Sequence, residues 1–245
     1  MGKGERVDRS RDEVGDGGRG GRPGGRASRL ERRRARARGR ALGLALVLAG
    51  SAMLGYVGWE LWGTGISTAR AQSQFRADIR AHGFPSRPIH GHALGYLRIP
   101  RIGLDMAFVQ GIDQGALAKG PGHYPRTPLP GRGGNVAIAG HRTTHLAPFW
   151  SLNALQPGDL ITLQTGLGTF VYRVQWVITV APGNWSVTTR TPIPSLTLTT
   201  CNPRFSAGQR LVVRAVQVYG RAPGRFIDLL AHGSVPAPRN FAGRR

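Results

Sequence analysis

Hydrophobic residues follow two different patterns along this 245-residue chain. Residues 41–59 form one apolar run without a charged side chain, and a helix of that length rises about 28 Å, close to the thickness of a bilayer core. From about residue 86 onward, apolar residues alternate with polar ones or form short runs that Gly and Pro interrupt, which is typical of β-strands. The chain is therefore predicted to have one transmembrane helix over 41–62 and a β domain over 86–220.

Several strands of this domain can be located from the pattern. The clearest is 170–180, where Phe170, Tyr172, Val174, Trp176 and Ile178 share one face. The predicted strands cover 96–99, 107–110, 135–139, 160–164, 170–180, 195–201 and 211–219, with short helical turns at 114–118 and 149–155. Seven or eight strands at this spacing favour a mostly β fold, a closed or partly closed barrel.

The basic residues are concentrated before the apolar run. Residues 1–40 hold 14 of the 34 Lys and Arg residues in a chain of net charge +22, and their low apolar content predicts a disordered tail. A basic block favours the cytoplasmic side of a membrane, which places the C-terminal domain outside the cell. Clustered arginine could also bind nucleic acid. Because the block ends where the apolar run begins, we interpret it as a topology signal that contacts anionic membrane lipid, and we expect no nucleic-acid partner.

The segments on either side of the β domain are predicted from the same patterns. Ala69-Arg70-Ala71 resembles a signal-peptide cleavage site, but it lies about a dozen residues beyond the apolar run, which favours an uncleaved anchor and a single-pass plasma-membrane protein. Residues 63–85 are predicted to be a stalk or linker, with a short helix over 70–82 that Gly83 and Pro85 end. Residues 221–245 are predicted to be a basic tail without regular structure.

The domain contains few acidic residues and one thiol. Asp105, Asp113 and Asp159 are the acids of 86–220, and their scatter argues against paired-carboxylate hydrolases and against a calcium site. Cys201 is the one cysteine of the chain, so it forms no intramolecular disulfide. It is inert in the core, paired between molecules, or catalytic.

Two other side chains are candidates to act with this thiol. His141 follows the strand 135–139 and a glycine, a placement that suits a positioned acid or base. Arg210 begins the strand after that of Cys201, with eight residues between the two. If the two strands are antiparallel neighbours, Arg210 lies about 4.8 Å away across the sheet, where its guanidinium could stabilise an oxyanion. Each residue also has a structural alternative: a core thiol, a hydrogen-bonded strand-end histidine and a solvated charge.

Taken together, these segments resemble the sortase family of cysteine transpeptidases. The resemblance covers residues 95–220 and is carried by the sequences IPRI (99–102), GHYP (122–125), PG leading to Asn135 (130–135), AGHR (139–142), PGD (157–159) and TLTTC (197–201), and by Arg210. The segments 122–125 and 140–144 look most like class E sortases of high-GC Gram-positive bacteria. The resemblance implies an eight-stranded β-barrel with short helices, in which Cys201 is the nucleophile, His141 the acid/base and Arg210 the oxyanion-stabilising residue.

The resemblance also implies a reaction. A sortase of this class cleaves a C-terminal sorting signal of LAxTG type, where most other classes favour LPxTG, between Thr and Gly. It then transfers the thioacyl-linked protein to an amine of a cell-wall peptidoglycan precursor. A protonated His141 beside an ionised Cys201 is required, which predicts a bell-shaped pH dependence. The alternatives are a cysteine endopeptidase that hydrolyses the same motif and a non-catalytic wall-binding module.

The remaining candidates concern substrate and metal. Four residues of the matched motifs are candidates for substrate binding: Tyr124, Asn135, Thr199 and Thr200. His123 and His145 could bind a metal by spacing alone, but no cysteine or carboxylate cluster accompanies them. We therefore expect no metal and no cofactor.

Overall fold

A computed structural model describes residues 25–59, 63–222 and 225–228, with side chains for 36–59 and 63–220. The chain divides after Met53 into two compact units. The described residues of the first unit belong to helix α1, Gly25–Gly58, whose last five residues belong to the second unit. Its segment Arg36–Gly58 has 23 residues and a mean hydropathy of 1.8, long and apolar enough to cross a membrane. Residues 1–24 and 60–62, which belong to the predicted tail and the predicted span, lie outside the described residues.

The start of α1 differs from the prediction. Residues 25–40 are helical, whereas we predicted a disordered segment over 1–40. Arginine and alanine dominate this stretch and are both good helix formers, so the helix of the apolar run extends backward through them. Charge and low apolar content indicate that a segment lacks a core, but they do not exclude a helix.

The second unit contains a mostly β domain with two further α-helices. Helix α2 is Thr64–His82 and helix α3 is Gln114–Leu117. The strands are β1 Ala93–Ile99, β2 Leu104–Gln110, β3 Gly122–His123, β4 Asn135–Ala139, β5 Leu160–Thr165, β6 Gly168–Val180, β7 Ser195–Asn202, β8 Gln209–Ala222 and β9 Arg225–Asp228. Three-residue or four-residue 3₁₀ turns lie at Pro100–Ile102, Leu152–Ala154 and Trp185–Thr188.

The sheet closes on itself. Its strand order is β6-β5-β1-β2-β3-β4-β7-β8-β9, and a further pairing of β6 with β8 joins the two ends of the first eight strands. The predicted eight-stranded barrel is therefore confirmed. Strand β9 pairs outside the barrel with the end of β8, and it lies in the segment that we predicted to have no regular structure. The barrel interior is filled by aromatic and aliphatic side chains such as Phe108, Phe170, Tyr172 and Leu198.

Helix α2 is docked on the barrel. The side chain of Gln72 is buried: its Nε2 donates to the carbonyls of Ala107 and Lys119 at 2.9 and 2.8 Å, and its Oε1 accepts from the Ala107 N–H at 2.8 Å. The hydroxyl of Thr68, also buried, donates to the Ala118 carbonyl at 2.7 Å. The amide of Gln72 thus takes the place of a neighbouring strand along β2. The predicted stalk helix is longer than expected and packs against the domain.

Candidate active site

The three predicted catalytic residues lie in one row across adjacent strands. Strand β4 is parallel to β7 with Ala139 opposite Thr199, so the chain two residues later brings His141 abreast of Cys201. Strand β8 is antiparallel to β7 and pairs Arg210 directly with Cys201. Residues directly opposite each other in a sheet point to the same face, with Cβ atoms about 5 Å apart. The predicted neighbourhood of Cys201 and Arg210 is thus present in the strand register.

The alignment of His141 is maintained by contacts beyond the end of β4. The N–H of Gly140 donates to the Thr199 carbonyl at 3.1 Å, and the hydroxyl of Thr200 donates to the Gly140 carbonyl at 2.8 Å. The parallel pairing therefore continues up to the residue before the histidine. Gly140 also lies against the ring of Phe149, where a Cβ atom would approach ring carbons to 2.6 Å. A larger residue before His141 would push the histidine out of the row.

One cavity of about 280 Å³ is lined by all three residues. Its walls come from the end of β4, from β7 and β8, and from the β6–β7 loop, which contributes Asn184, Trp185 and Thr188. Tyr124, Thr199 and Thr200 also line it. The hydroxyls of Tyr124 and Thr199 lie 2.9 Å apart, which places a hydrogen-bonded pair of polar groups next to the thiol. Three of the four candidate substrate-binding residues are thus brought together with Cys201.

Asn135, the fourth candidate, lies elsewhere. Its side chain is fully buried, and its Nδ2 donates to the carbonyls of Val187 and Thr189 at 3.1 and 3.0 Å. The Val187 carbonyl also accepts from Arg214 Nη2 at 2.8 Å and from the Thr197 hydroxyl at 3.2 Å. Three buried donors thus converge on one carbonyl of the β6–β7 loop. Asn135 shapes the cavity by fixing this wall, and it does not line the cavity.

His141 is half-buried and contacts a second histidine. The rings of His141 and His145 are stacked, with centroids 4.6 Å apart and planes inclined by 20°. Burial, and then the nearby His145, lower the pKa of His141 from 6.5 to about 4. The free site therefore holds a neutral imidazole at pH 7, which opposes the predicted charged His141 at neutral pH.

This environment predicts a measurable titration. In the folded, substrate-free protein, the ring protons of His141 should titrate in an NMR experiment with a midpoint near pH 4. Replacing His145 with Gln removes a neighbouring positive charge, so the midpoint should rise, but it should stay below 6.5 because burial is the larger cause. A wild-type midpoint near 6.5, or one that does not respond to His145→Gln, would contradict this account of the site.

Arg210 is half-exposed beside the thiol. Among the described residues, its guanidinium hydrogen bonds run from Nη1 to the carbonyls of Ala207 and Gln209, both at 3.1 Å. These contacts hold the guanidinium to its own loop. A guanidinium carries five N–H donors, so Nε and Nη2 can serve an acceptor in the cavity.

Arg142 is a site residue to which we assigned no role from the sequence. Its buried guanidinium donates through Nη1 to the Cys201 carbonyl at 3.1 Å and to Asn202 Oδ1 at 2.6 Å, and through Nη2 to Asn153 Oδ1 at 2.9 Å. It thereby connects the chain after His141 to the backbone of the nucleophile. The sequence carried a signal for such a role: Arg142 closely follows an apolar strand in a domain with few acidic residues to pair with, so its guanidinium had to find other acceptors.

His123 has a structural role. It is buried, its Nδ1 lies 2.9 Å from Gln110 Oε1, and its Nε2 lies 3.2 Å from the Pro128 carbonyl. Burial lowers the pKa of His123 to about 4, so it is neutral at pH 7. Within residues 25–59, 63–222 and 225–228, no group of three or more His, Cys, Asp or Glu residues could hold a metal ion.

Comparison with known proteins decides the family. The Sortase domain family matches residues 97–218. A solved structure of Sortase E1 from Streptomyces coelicolor, with a tripeptide in its active site, is 31% identical and superposes with a TM-score of 0.51, covering 56% of this chain and 94% of that one. The chain belongs to the sortase family. This confirms the resemblance inferred from the motifs.

Two curated relatives add detail to this assignment. Sortase SrtE1 from Streptomyces coelicolor is 32% identical over 204 residues, which cover 73% of this chain and 57% of that protein. Sortase D from Bacillus subtilis is 33% identical over 142 residues, which cover 58% of this chain and 64% of that protein. The sortase described here thus spans somewhat less than two thirds of the length of either relative. Its similarity to sortases E makes it class E-like.

Proposed function

We propose that this sortase is a membrane-anchored cysteine transpeptidase that cleaves an LAxTG-like sorting signal between Thr and Gly and transfers the upstream protein to a cell-wall amine. The observation that carries the proposal is the row of His141, Cys201 and Arg210 along one cavity. A nucleophile, a proton carrier and a cationic hydrogen-bond donor are the three groups that acyl transfer through a thioester requires. Cys201 and Arg210 lie on neighbouring strands of a closed barrel, and His141 lies two residues beyond the end of a third.

The first half-reaction forms the thioacyl-enzyme. Neutral His141 takes the proton of the Cys201 thiol while the sulfur attacks the threonine carbonyl carbon. Arg210 stabilises the negative charge that develops on the carbonyl oxygen. The tetrahedral intermediate collapses, the C–N bond to glycine breaks, and the proton carried by His141 passes to the leaving amine. The low pKa of His141 makes it a ready donor at this step.

The second half-reaction repeats these roles in reverse. The acceptor amine attacks the thioester carbonyl and loses a proton to His141. The C–S bond then breaks, and the proton returns to the sulfur of Cys201. The protein substrate ends in a new amide bond, and the enzyme is regenerated. Attack by water in place of the amine would make the enzyme an endopeptidase.

The shape of the cavity supports an extended peptide as substrate. A second cavity of about 450 Å³ shares Ile112, Tyr124, Trp185 and Thr188 with the catalytic cavity. The two cavities therefore adjoin, and Tyr124, whose hydroxyl lies 2.9 Å from that of Thr199, belongs to their shared wall. Two adjoining cavities suit a peptide chain of several residues better than a compact small molecule. The preference for LAxTG over LPxTG is supported by the similarity to sortases E.

The anchoring part of the proposal depends on α1. Its apolar segment Arg36–Gly58 can cross a membrane, and the arginine-rich residues before it favour a cytoplasmic N-terminus. The catalytic domain would then face the cell wall, where sorting signals and peptidoglycan precursors meet.

Trapping of the intermediate tests the proposal. Intact-protein mass spectrometry of the enzyme incubated with LAxTG and LPxTG peptides should show an acyl adduct on Cys201, with more adduct from LAxTG. Addition of an amine nucleophile should convert the adduct to an amide product faster than water hydrolyses it. An adduct that only water resolves would favour the endopeptidase, and no adduct from either peptide would overturn the substrate assignment.

A further inference from the structure

An exposed apolar patch lies beside the catalytic row. We call it the Trp150 patch and define it by Leu146, Trp150, Arg204 and Phe205. The side chains of Leu146, Trp150 and Phe205 are 51%, 40% and 71% exposed. Leu146 and Trp150 belong to the loop that follows His141. Arg204 and Phe205 belong to the loop that follows Cys201. Trp150 and Phe205 are in ring contact, and Leu146 lies four residues before Trp150 in the same loop. Large apolar side chains on a surface usually occur singly, so their concentration on these two loops indicates a contact surface.

The patch is organised around the indole of Trp150. The ring of Phe205 meets it edge-on, with centroids 6.1 Å apart. The guanidinium of Arg204 lies 4.2 Å above the Trp150 ring, and its Nε and Nη2 donate to the Trp150 carbonyl at 3.3 and 3.2 Å. These contacts join the two catalytic loops to each other. Exposed aromatic rings beside a cationic side chain are suited to the headgroup region of a bilayer.

The backbone holds two patch members in an unfavourable conformation. Leu146 has φ of 62° and Phe205 has φ of 64°. This left-handed region costs about 1 kcal/mol or more for residues other than glycine. The turn at 145–147 also contains His145, which stacks on His141, yet it presents Leu146 to water, as the loop after Cys201 presents Phe205. A partner that covers these side chains would provide the compensating free energy.

The end of the apolar helix indicates which partner this is. Leu146 Cδ2 lies 3.3 Å from the position of a Cβ on Gly65, and the His145 N–H donates to the Thr64 hydroxyl at 3.3 Å. The patch therefore adjoins the first turn of α2. Thr64 follows Gly58, the last residue of α1, by six residues. Six residues reach at most about 21 Å, so a bilayer that α1 spans is within reach of the first turn of α2.

We propose that the Trp150 patch inserts into the headgroup region of an anionic phospholipid bilayer. The apolar side chains would enter the boundary of the acyl chains, and Arg204 would pair with lipid phosphate. Because the two loops of the patch follow His141 and Cys201, this contact would hold the catalytic cavity at the membrane surface. The inference rests on the anchoring by α1 proposed above.

A fluorescent label can measure this insertion. The full chain is prepared with Cys201→Ala, which removes its native thiol. A second substitution, Phe205→Cys, then adds a single cysteine that is labelled with an environment-sensitive fluorophore. Ile89→Cys is the matched control, since Ile89 is apolar and 57% exposed but shares a cavity with Ile79 and His82 at the other end of α2. The 19 residues of α2 separate its two ends by about 28 Å.

Both proteins are reconstituted into vesicles of phosphatidylglycerol and phosphatidylcholine that contain brominated lipids. We expect the label at position 205 to be quenched at least about threefold more than the label at 89. A label at Leu146→Cys should behave like the label at 205, which guards against a local effect of one substitution. If the protein co-floats with the vesicles in a density gradient but the labels at 205, 146 and 89 are quenched equally, the insertion of the patch is wrong and the anchoring by α1 stands. If the protein does not co-float with the vesicles, the anchoring by α1 is wrong as well.

Discussion

Replacement of Cys201 with alanine should abolish the thioacyl-enzyme and lower the rate of peptide cleavage by roughly 10⁴- to 10⁶-fold, the loss measured when the nucleophile of a covalent protease is removed. The reason is that neither His141 nor Arg210 can form a covalent bond to the substrate carbonyl in its place. The rate is measured with a quenched fluorescent sorting peptide, and the adduct by mass spectrometry. The chain contains one cysteine, so no other thiol can substitute.

The same variant should still fold and bind peptide. Cys201 is half-buried at the end of β7, and alanine fits in its place without a clash. Unchanged circular dichroism and an unchanged peptide dissociation constant would assign the loss to chemistry. If Cys201→Ala kept more than about a tenth of the wild-type rate, the thioacyl mechanism would be wrong.

Replacement of Arg210 with alanine should cost about 10²- to 10³-fold, the usual loss when one oxyanion donor is removed. The strand register places Arg210 opposite Cys201, so its guanidinium is within reach of the oxygen of a carbonyl bound to the sulfur. Because the negative charge develops in the transition state, the loss should appear in kcat much more than in KM. Arg210→Lys should recover little, since an ammonium group is a single point charge.

Arg173→Ala is a suitable control for the loss of one positive charge. Arg173 is exposed on β6 and pairs with Val216, six residues along β8 from Arg210, a separation of about 20 Å. Its replacement should leave kcat and KM within about twofold of wild type. A loss of tenfold or less in Arg210→Ala, or a loss confined to KM, would assign Arg210 to substrate binding.

Local patterns were sufficient for most of the barrel. Strand β4 was predicted with its observed bounds, and six of the other strands were predicted to within a few residues, because each buries an alternating or apolar face. The neighbourhood of Cys201 and Arg210 was also predictable, since a short loop between two strands favours an antiparallel hairpin. Strand β3 was missed because two residues are too few to show a period.

Other features of the site depend on contacts distant in sequence. The parallel pairing of β4 with β7 joins segments about 60 residues apart, and no local pattern specifies it. Asn135 looked like a groove residue because it lies in a matched motif, yet the fold uses its amide to hold the Val187 carbonyl. His145, which stacks on His141, begins a left-handed turn at 145–147, and a sequence without glycine at these positions does not indicate such a turn.

The docking of Gln72 on β2 determines where a recombinant fragment of this enzyme can begin. A fragment that starts near residue 86, at the predicted domain boundary, would lack α2. The N–H and C=O of Ala107, which Gln72 now satisfies, would then be exposed on an open strand edge, a known cause of aggregation. A soluble fragment should therefore begin at or before Thr64, so that α2 is present and Gln72 still covers the edge of β2.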